Sequence, residues 1–171
     1  MFRARYFQRV PEAPSLERIY IGVDPLMTHQ STCFVVAAGI AQGRIFVLQS
    51  GKIIGSPATW GCEIAALHHT TQANGVVTEA YAGGNMVRDI LHHINPDIAV
   101  VMLALARPSI YSLHALYQQE RMFHVCHQVA LEHELLTYED DKHSKTKFIK
   151  PLCLVAEALL NPQPTMRIRS L

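Results

Sequence analysis

Two acidic side chains stand at the ends of two predicted strands. Asp24 ends an apolar run that begins at Arg18, and Glu79 ends the run that begins at Gly75. The carboxyl ends of parallel strands meet at one edge of an α/β sheet, so these carboxylates are expected to lie side by side. Adjacent carboxylates repel unless a cation lies between them, and hard oxygen ligands suit Mg²⁺ or Mn²⁺. The pattern indicates metal-assisted phosphodiester hydrolysis, although both acids are equally typical of strand-end carboxylates that cap loops.

The hydrophobic pattern predicts the elements that must position these acids. The predicted strands are 18–24, 32–40, 44–50, 75–79 and 98–105, and the predicted helices are 57–72, 85–94, 108–119 and 147–160. Short connections join the first three strands, whereas helices separate the later ones. The order therefore predicts an α/β fold with a mixed five-stranded sheet, flanked by helices, in which the first three strands are antiparallel.

Size and composition limit the classes of protein that fit. The chain has 171 residues, which suits one domain, and 49% of them are hydrophobic, which is enough for a core. Fifteen basic and 14 acidic residues give a net charge of +1, so any DNA contact must come from a local patch. The 4 cysteines form no CxxC pattern, and no apolar run is long enough for a signal peptide or a membrane span. A cytoplasmic protein without disulfide bonds is expected.

Prolines and basic residues divide the chain into three parts. Residues 1–16 are predicted to be a linker-like basic segment, 17–161 the folded domain and 162–171 a short basic tail. Within the first part, Arg3, Arg5 and Arg9 are more typical of a solvated arm than of a DNA contact.

Four segments of the chain carry a more specific pattern. They are 14–25, 77–87, 115–124 and 131–135, and they contain Val-Asp-Pro, Glu-x-x-x-Gly-Gly-x-Met-Val and Leu-Tyr-x-Gln-x-Arg. In order and spacing these segments resemble the C-terminal nuclease domain of phage terminase large subunits, from about residue 11 to residue 161.

This resemblance implies an RNase H-like fold and a metal-dependent endonuclease of phage or prophage origin that cuts DNA during genome packaging. Asp24 and Glu79 would be its first two metal-binding acids, holding Mg²⁺ or Mn²⁺ in a two-metal site. No Gly-x-x-x-x-Gly-Lys-Ser/Thr motif is present, so no nucleotide is expected. The implied partners are double-stranded DNA and a separate terminase ATPase, small terminase subunit or portal, in the cytoplasm of a bacterial host.

The sequence departs from the terminase pattern at the third acid. Pro151 stands where that acid is expected, so the metal site loses a ligand. Asp140 or Asp141 is a candidate substitute in a polar loop, whereas Glu157 points away from the position of residue 151. The basic residues predicted to contact DNA are Arg107, Arg121, Lys145 and Lys147.

Three alternatives remain open at this level. The first is a catalytically inactive DNA-binding or packaging-assembly module with the same fold. The second is another RNase H-like enzyme, such as a resolvase. The third is a zinc site at His124, Cys126 and His127, which is disfavoured because no second pair of ligands follows at the usual spacing.

Overall fold

The computed structural model describes residues 2–26, 32–81, 83–104, 109–138 and 146–161. Its strands are β1 (Gln8–Val10), β2 (Arg18–Leu26), β3 (Thr32–Ala41), β4 (Arg44–Ile54), β5 (Gly75–Glu79), β6 (Val100–Leu103) and β7 (Met122–Val125). Its α-helices are α1 (Pro57–Thr71), α2 (Gly84–Ile94), α3 (Ser109–Gln118), α4 (Val129–Thr137) and α5 (Ile149–Leu160), and a short 3-10 helix covers Ala4–Tyr6. Asp140, Asp141, Arg107 and Lys145, which the sequence analysis singled out, lie outside the described residues.

The strands form one mixed sheet in the order β1-β7-β4-β3-β2-β5-β6. Strand β3 is antiparallel to both β2 and β4, whereas β5 and β6 continue parallel to β2. The predicted α/β class and the antiparallel start of the sheet are therefore confirmed. The predicted count of five strands was too low, because β1 and β7, with only 3 and 4 residues, extend one edge of the sheet. Strands this short carry almost no alternation of hydrophobicity.

Each face of the sheet has its own apolar core. Ile21 and Val23 of β2 lie in the core that contains Trp60 of α1 and Leu91 of α2. Because side chains alternate along a strand, Asp24 faces the opposite side, where α3, α4 and α5 pack. The side chain of Asp24 is thus directed toward α5.

Helix α5 lies unusually close to β2. It presents apolar side chains on most of its surface, and nine of its residues are buried. A Cβ atom at Gly22 would collide with the backbone carbonyl oxygen of Pro151, so the close approach requires glycine at this position. The contact fixes the first turn of α5 over the carboxyl end of β2.

The segment predicted as a linker is partly built into the fold. Phe2 and Phe7 are buried, and both rings pack edge-on against Tyr117 of α3. Strand β1 extends the sheet by pairing with β7. The aromatic residues explain the difference from the linker prediction, since each buried ring contributes on the order of 2 kcal/mol of apolar burial.

Among the described helices, none combines the length and the hydropathy that crossing a membrane would require.

Candidate functional site

Asp24 and Glu79 lie side by side near the carboxyl ends of two neighbouring strands, as their positions in the sequence predicted. Strand β5 is parallel to β2 with Val23 opposite Thr78, which places the following residues, Asp24 and Glu79, side by side. Asp24 is 3% exposed, whereas the side chain of Glu79 retains 22% of its accessibility. The pair therefore has one buried acid and one acid that reaches solvent.

A lysine side chain occupies the space between the two acids. The Nζ atom of Lys150 lies 2.7 Å from Oδ1 of Asp24 and 2.6 Å from Oε2 of Glu79. The side chain of Lys150 is 23% exposed, so the ammonium is only partly hydrated. The cation that two adjacent carboxylates require is therefore supplied by the protein itself.

The electrostatics of this group reflect burial and mutual attraction. Burial raises the pKa of Asp24, and the neighbouring charge of Glu79 raises it further, although Lys150 partly offsets both effects. For Lys150, burial alone would lower the pKa, but the hydrogen bonds to Asp24 and Glu79 outweigh it and raise the pKa. Lys150 is thus a charged ammonium at neutral pH.

Helix α4 holds the start of α5 in place. Glu134 of α4 accepts hydrogen bonds from the backbone N–H groups of Lys147 and Phe148, at 2.6 and 2.8 Å. The ring of Phe148 packs edge-on against Phe34 of β3, with 5.0 Å between ring centroids. These contacts anchor the backbone on which Lys150 is carried, so the ammonium reaches the acids from a fixed point.

The glycine pair after Glu79 shapes the opposite wall of the site. Gly83 has a φ angle of +85°, a conformation that favours glycine, and α2 begins at the next residue. A Cβ atom at Gly84 would collide with the carbonyl oxygen of Glu79. The Glu-x-x-x-Gly-Gly spacing is therefore explained by a tight turn that leads from β5 into α2.

The structure also describes Pro151, where the third acid was expected, and Glu157, which the sequence places away from that position. Pro151 is buried, with its carbonyl against Gly22, and the adjacent Lys150 is the residue that contacts Asp24 and Glu79. Glu157 is exposed near the end of α5 and accepts a hydrogen bond from Asn161 at 2.9 Å. Within the described ranges, no group of three or more His, Cys, Asp or Glu side chains could hold a metal ion.

Lys150 is the functional residue that the sequence analysis missed. A single lysine at the start of an apolar helix gives no signal by itself, since lysine is typical of helix termini and solvated faces. The only available signal was positional, because the isolated charge of Lys150 directly precedes Pro151, where an acid was expected.

The two predicted DNA-contact residues that the structure describes differ in their surroundings. Arg121 is half-buried and donates two hydrogen bonds to the carbonyl oxygen of Gly43, at 3.1 and 2.9 Å, which closes the turn between β3 and β4. Lys147 is exposed next to α5. Of these two, Lys147 is the exposed one, and its backbone N–H donates a hydrogen bond to Glu134 of α4.

A second polar cluster lies at the other end of the same face. Glu132 of α4 accepts hydrogen bonds from Nδ1 of His124 at 2.7 Å and from Nη2 of Arg9 at 2.6 Å. With Nδ1 donating to Glu132, Nε2 of the neutral His124 ring accepts a hydrogen bond from the hydroxyl group of Tyr117, at 2.7 Å. His127 lies 2.9 Å from the same carboxylate. The histidines considered for zinc thus surround a carboxylate, and Arg9 is an ion-pair partner of Glu132 and not a solvated arm.

Comparisons with solved structures identify this arrangement as a known fold. The large terminase of a thermophilic bacteriophage is 13% identical with a TM-score of 0.70, over 94% of this chain and 44% of that one. The large terminase nuclease of the thermophilic phage G20c with bound magnesium is 12% identical with a TM-score of 0.63, over 92% and 94%. The Mn-soaked human cytomegalovirus terminase nuclease domain is 9% identical with a TM-score of 0.59, over 84% and 82%.

These likenesses define the class of fold. The chain has the RNase H-like fold of terminase nuclease domains, as the four sequence segments predicted. It spans less than half of the first of these large terminases and nearly all of the G20c nuclease. No protein-family model matches the sequence. No curated protein matches it at a significant level.

Proposed function

We propose that the chain is a terminase-like module that binds double-stranded DNA during genome packaging and leaves that DNA uncut. The observation that carries the proposal is the pair of ion contacts made by Lys150 with Asp24 and Glu79. Carboxylate oxygens suit Mg²⁺ and Mn²⁺, and the G20c and cytomegalovirus neighbours hold or were soaked with these metals. In this chain, however, an ammonium stands where such an ion would bind, and the described residues provide no third ligand. The arrangement therefore does not fit a divalent cation, and no cleavage step follows from it.

Exposed lysines support DNA contact on the face that carries the acids. Lys52 of β4 is opposite Phe34 of β3, which is itself opposite Asp24 of β2, so the three side chains share one face. Neighbouring strands lie about 4.8 Å apart, which places the Cα atom of Lys52 roughly 10 Å from the Cα atom of Asp24. Lys52 provides an exposed positive charge on this face, and Lys147 provides a second one shortly before Lys150 in the sequence. Lysine contacts to phosphate supply sequence-independent affinity.

Packaging partners follow from the same proposal. A terminase ATPase is the first partner class, because large terminases are among the structural neighbours and this sequence contains no phosphate-binding loop of its own. A small terminase subunit or a portal is the other partner class, in the cytoplasm of a bacterial host that carries a phage or prophage.

Metal-dependent endonuclease activity is the second candidate. The convergence of Asp24 and Glu79 on a single point favours it, because these are the acids that the terminase resemblance assigns to metal. In that case Lys150 would have to leave the acids, and Asp140 or Asp141 would complete the ligand set.

One experiment separates the two candidates. Incubation of supercoiled plasmid with the wild-type protein and Mg²⁺ or Mn²⁺ is expected to give no nicking above that of the Asp24→Asn variant. Metal-dependent nicking that Asp24→Asn abolishes would establish the endonuclease and refute our proposal.

DNA binding is measured in parallel, by fluorescence anisotropy of a labelled duplex at fixed salt. Exchanging both Lys52 and Lys147 for Glu is expected to weaken binding about tenfold or more, because two phosphate contacts become repulsive. The matched control exchanges Arg3 and Arg5, which are exposed in the segment before the edge strand β1, for Glu. Equal losses in both double variants would show that binding depends on net charge and not on this face.

A further inference from the structure

The position of the Lys150 ammonium is one that a metal ion would also require. Its Nζ atom lies within 2.7 Å of an oxygen from each acid. A divalent ion held by the same two oxygens lies about 2.0–2.1 Å from each, as is usual for Mg²⁺. The ammonium and the ion therefore overlap in space, and binding of one excludes the other.

The charges at the acid pair determine how strongly a divalent cation competes with the Lys150 ammonium. Two carboxylates and one ammonium leave the centre with an excess of one negative charge. Without Lys150 the excess would be two negative charges on a half-buried site, which attracts a divalent cation more strongly. The charge of Lys150 thus sets the affinity of the acid pair for metal.

The attachment of Lys150 makes it an effective competitor. The lysine is the second residue of α5, and the helix is fixed by the contact of Pro151 with Gly22 and by the Glu134 hydrogen bonds. An intramolecular cation on a short, fixed stem has an effective concentration of about the millimolar range or above, which a metal ion in solution has to match.

We propose that Lys150 is a built-in cation that excludes divalent metal from Asp24 and Glu79, so that its removal creates a metal site. The inference rests on the proposed function only in taking this acid pair as the remnant of a nuclease centre. On this inference, Lys150 prevents metal binding at the acid pair, in addition to the missing third acid.

The test is titration with Mn²⁺ alone, without DNA, followed by electron paramagnetic resonance or calorimetry. Lys150→Met keeps the length of the stem and removes the charge, and we expect it to bind Mn²⁺ at least tenfold more tightly than the wild type. Adding Asp24→Asn to Lys150→Met should abolish the gain. Arg3→Met is the control, because it removes an exposed positive charge that lies outside the ion pairs, and it should bind as the wild type does.

A second variant protects the test against misfolding. Lys150→Gln retains a hydrogen-bond donor toward the acids, and the same gain is expected, accompanied by a rise in Tm when Mn²⁺ is added. Unchanged Mn²⁺ affinity in both folded variants would overturn the inference, and so would a wild type that already binds as tightly through Asp24. These results are independent of plasmid nicking and DNA affinity, so the failure of either proposal can be recognised separately.

Discussion

The acid pair and the Glu132 cluster are two carboxylate centres on the same face of one sheet, yet they are neutralised differently. At Glu132 a single carboxylate receives Arg9, His124 and His127 around its two oxygens. At the acid pair, two carboxylates share the ammonium of Lys150. With His124 neutral, the Glu132 and Arg9 charges cancel, whereas the acid pair keeps one uncompensated negative charge. A single carboxylate surrounded by several donor residues is typical of a structural network. Two carboxylates that share one donor residue can still attract a further cation.

The pKa directions at the two centres are opposite. Burial alone would raise the pKa of Glu132, but hydrogen bonds from Arg9 and His124 outweigh it and lower the pKa from 4.5 to about 2. At Asp24, by contrast, burial prevails over the attraction of Lys150 and the pKa is raised. The fold therefore favours the ionised form of Glu132 and disfavours the ionised form of Asp24.

The largest expected effect is on the free energy of unfolding, when Glu132 or Asp24 is replaced by its amide. Glu132→Gln removes a buried ion-pair partner, and we expect a loss of about 3 kcal/mol in the free energy of unfolding. Asp24→Asn should cost about 1 kcal/mol or less, because Glu79 still pairs with Lys150 and a neutral side chain suits the buried site. Urea titration of both variants measures the difference. Equal losses would mean that the acid pair is as structural as the Glu132 cluster.

The pH dependence of unfolding should separate the centres next. Glu132 has a lowered pKa, so its contribution is complete above about pH 4.5 and is lost as the pH falls toward 2. Burial also lowers the pKa of His124 despite the attraction of Glu132, so stability starts to fall once the pH drops below 6.5. Asp24 acts in the opposite direction, since a raised pKa adds stability as the pH falls.

The expected profile is therefore a decline in unfolding free energy below pH 6.5 in the wild type, and a steeper decline in Asp24→Asn. Urea unfolding at several pH values, from about neutral to about 3, measures both curves. A shallower decline in Asp24→Asn would contradict the sign derived for that residue.

A smaller effect than that of Glu132→Gln is expected from the hydroxyl at the far end of the Glu132 cluster. Tyr117→Phe removes the donor to Nε2 of the buried His124, which should cost about 1–2 kcal/mol. It should leave Mn²⁺ titration of the Lys150→Met background unchanged. Tyr81→Phe is the matched control, because Tyr81 is 86% exposed and should change stability very little. A shift in metal binding on Tyr117→Phe would show that the two centres are coupled.

Much of the fold could be predicted from local pattern. The central strands and four of the helices have runs long enough to show their period, and the strand from Gly75 to Glu79 was predicted to the residue. Helix α4 was not predicted, because Val129 and Leu136 are exposed and blur the apolar stripe. Strand β7 could not be predicted from four residues, and its place beside β4 depends on contacts distant in sequence.

The candidate site was predictable only in part. The positions of Asp24 and Glu79 at strand ends indicated that they meet, because parallel topology brings such ends together. The approach of Lys150 depends on the position of α5 over β2, which is set by Gly22 and by packing that no local window of sequence contains. The predicted roles of Asp140 and Asp141 stay predictions, as does the assignment of Pro151 to the position of a lost acid.

The hydrogen bonds from Glu134 have a consequence for the order of folding. The two backbone N–H groups just before the first turn of α5 are bound by a carboxylate on a different helix, 13 residues before Lys147 in the sequence. A helix of 12 residues is marginal alone, so α5 gains full stability only after α4 has packed against the sheet. Because Lys150 lies in that first turn, the acid pair should acquire its cation late in folding, after the strands that carry Asp24 and Glu79 have paired. Until then the newly formed sheet carries two unneutralised acids at its edge.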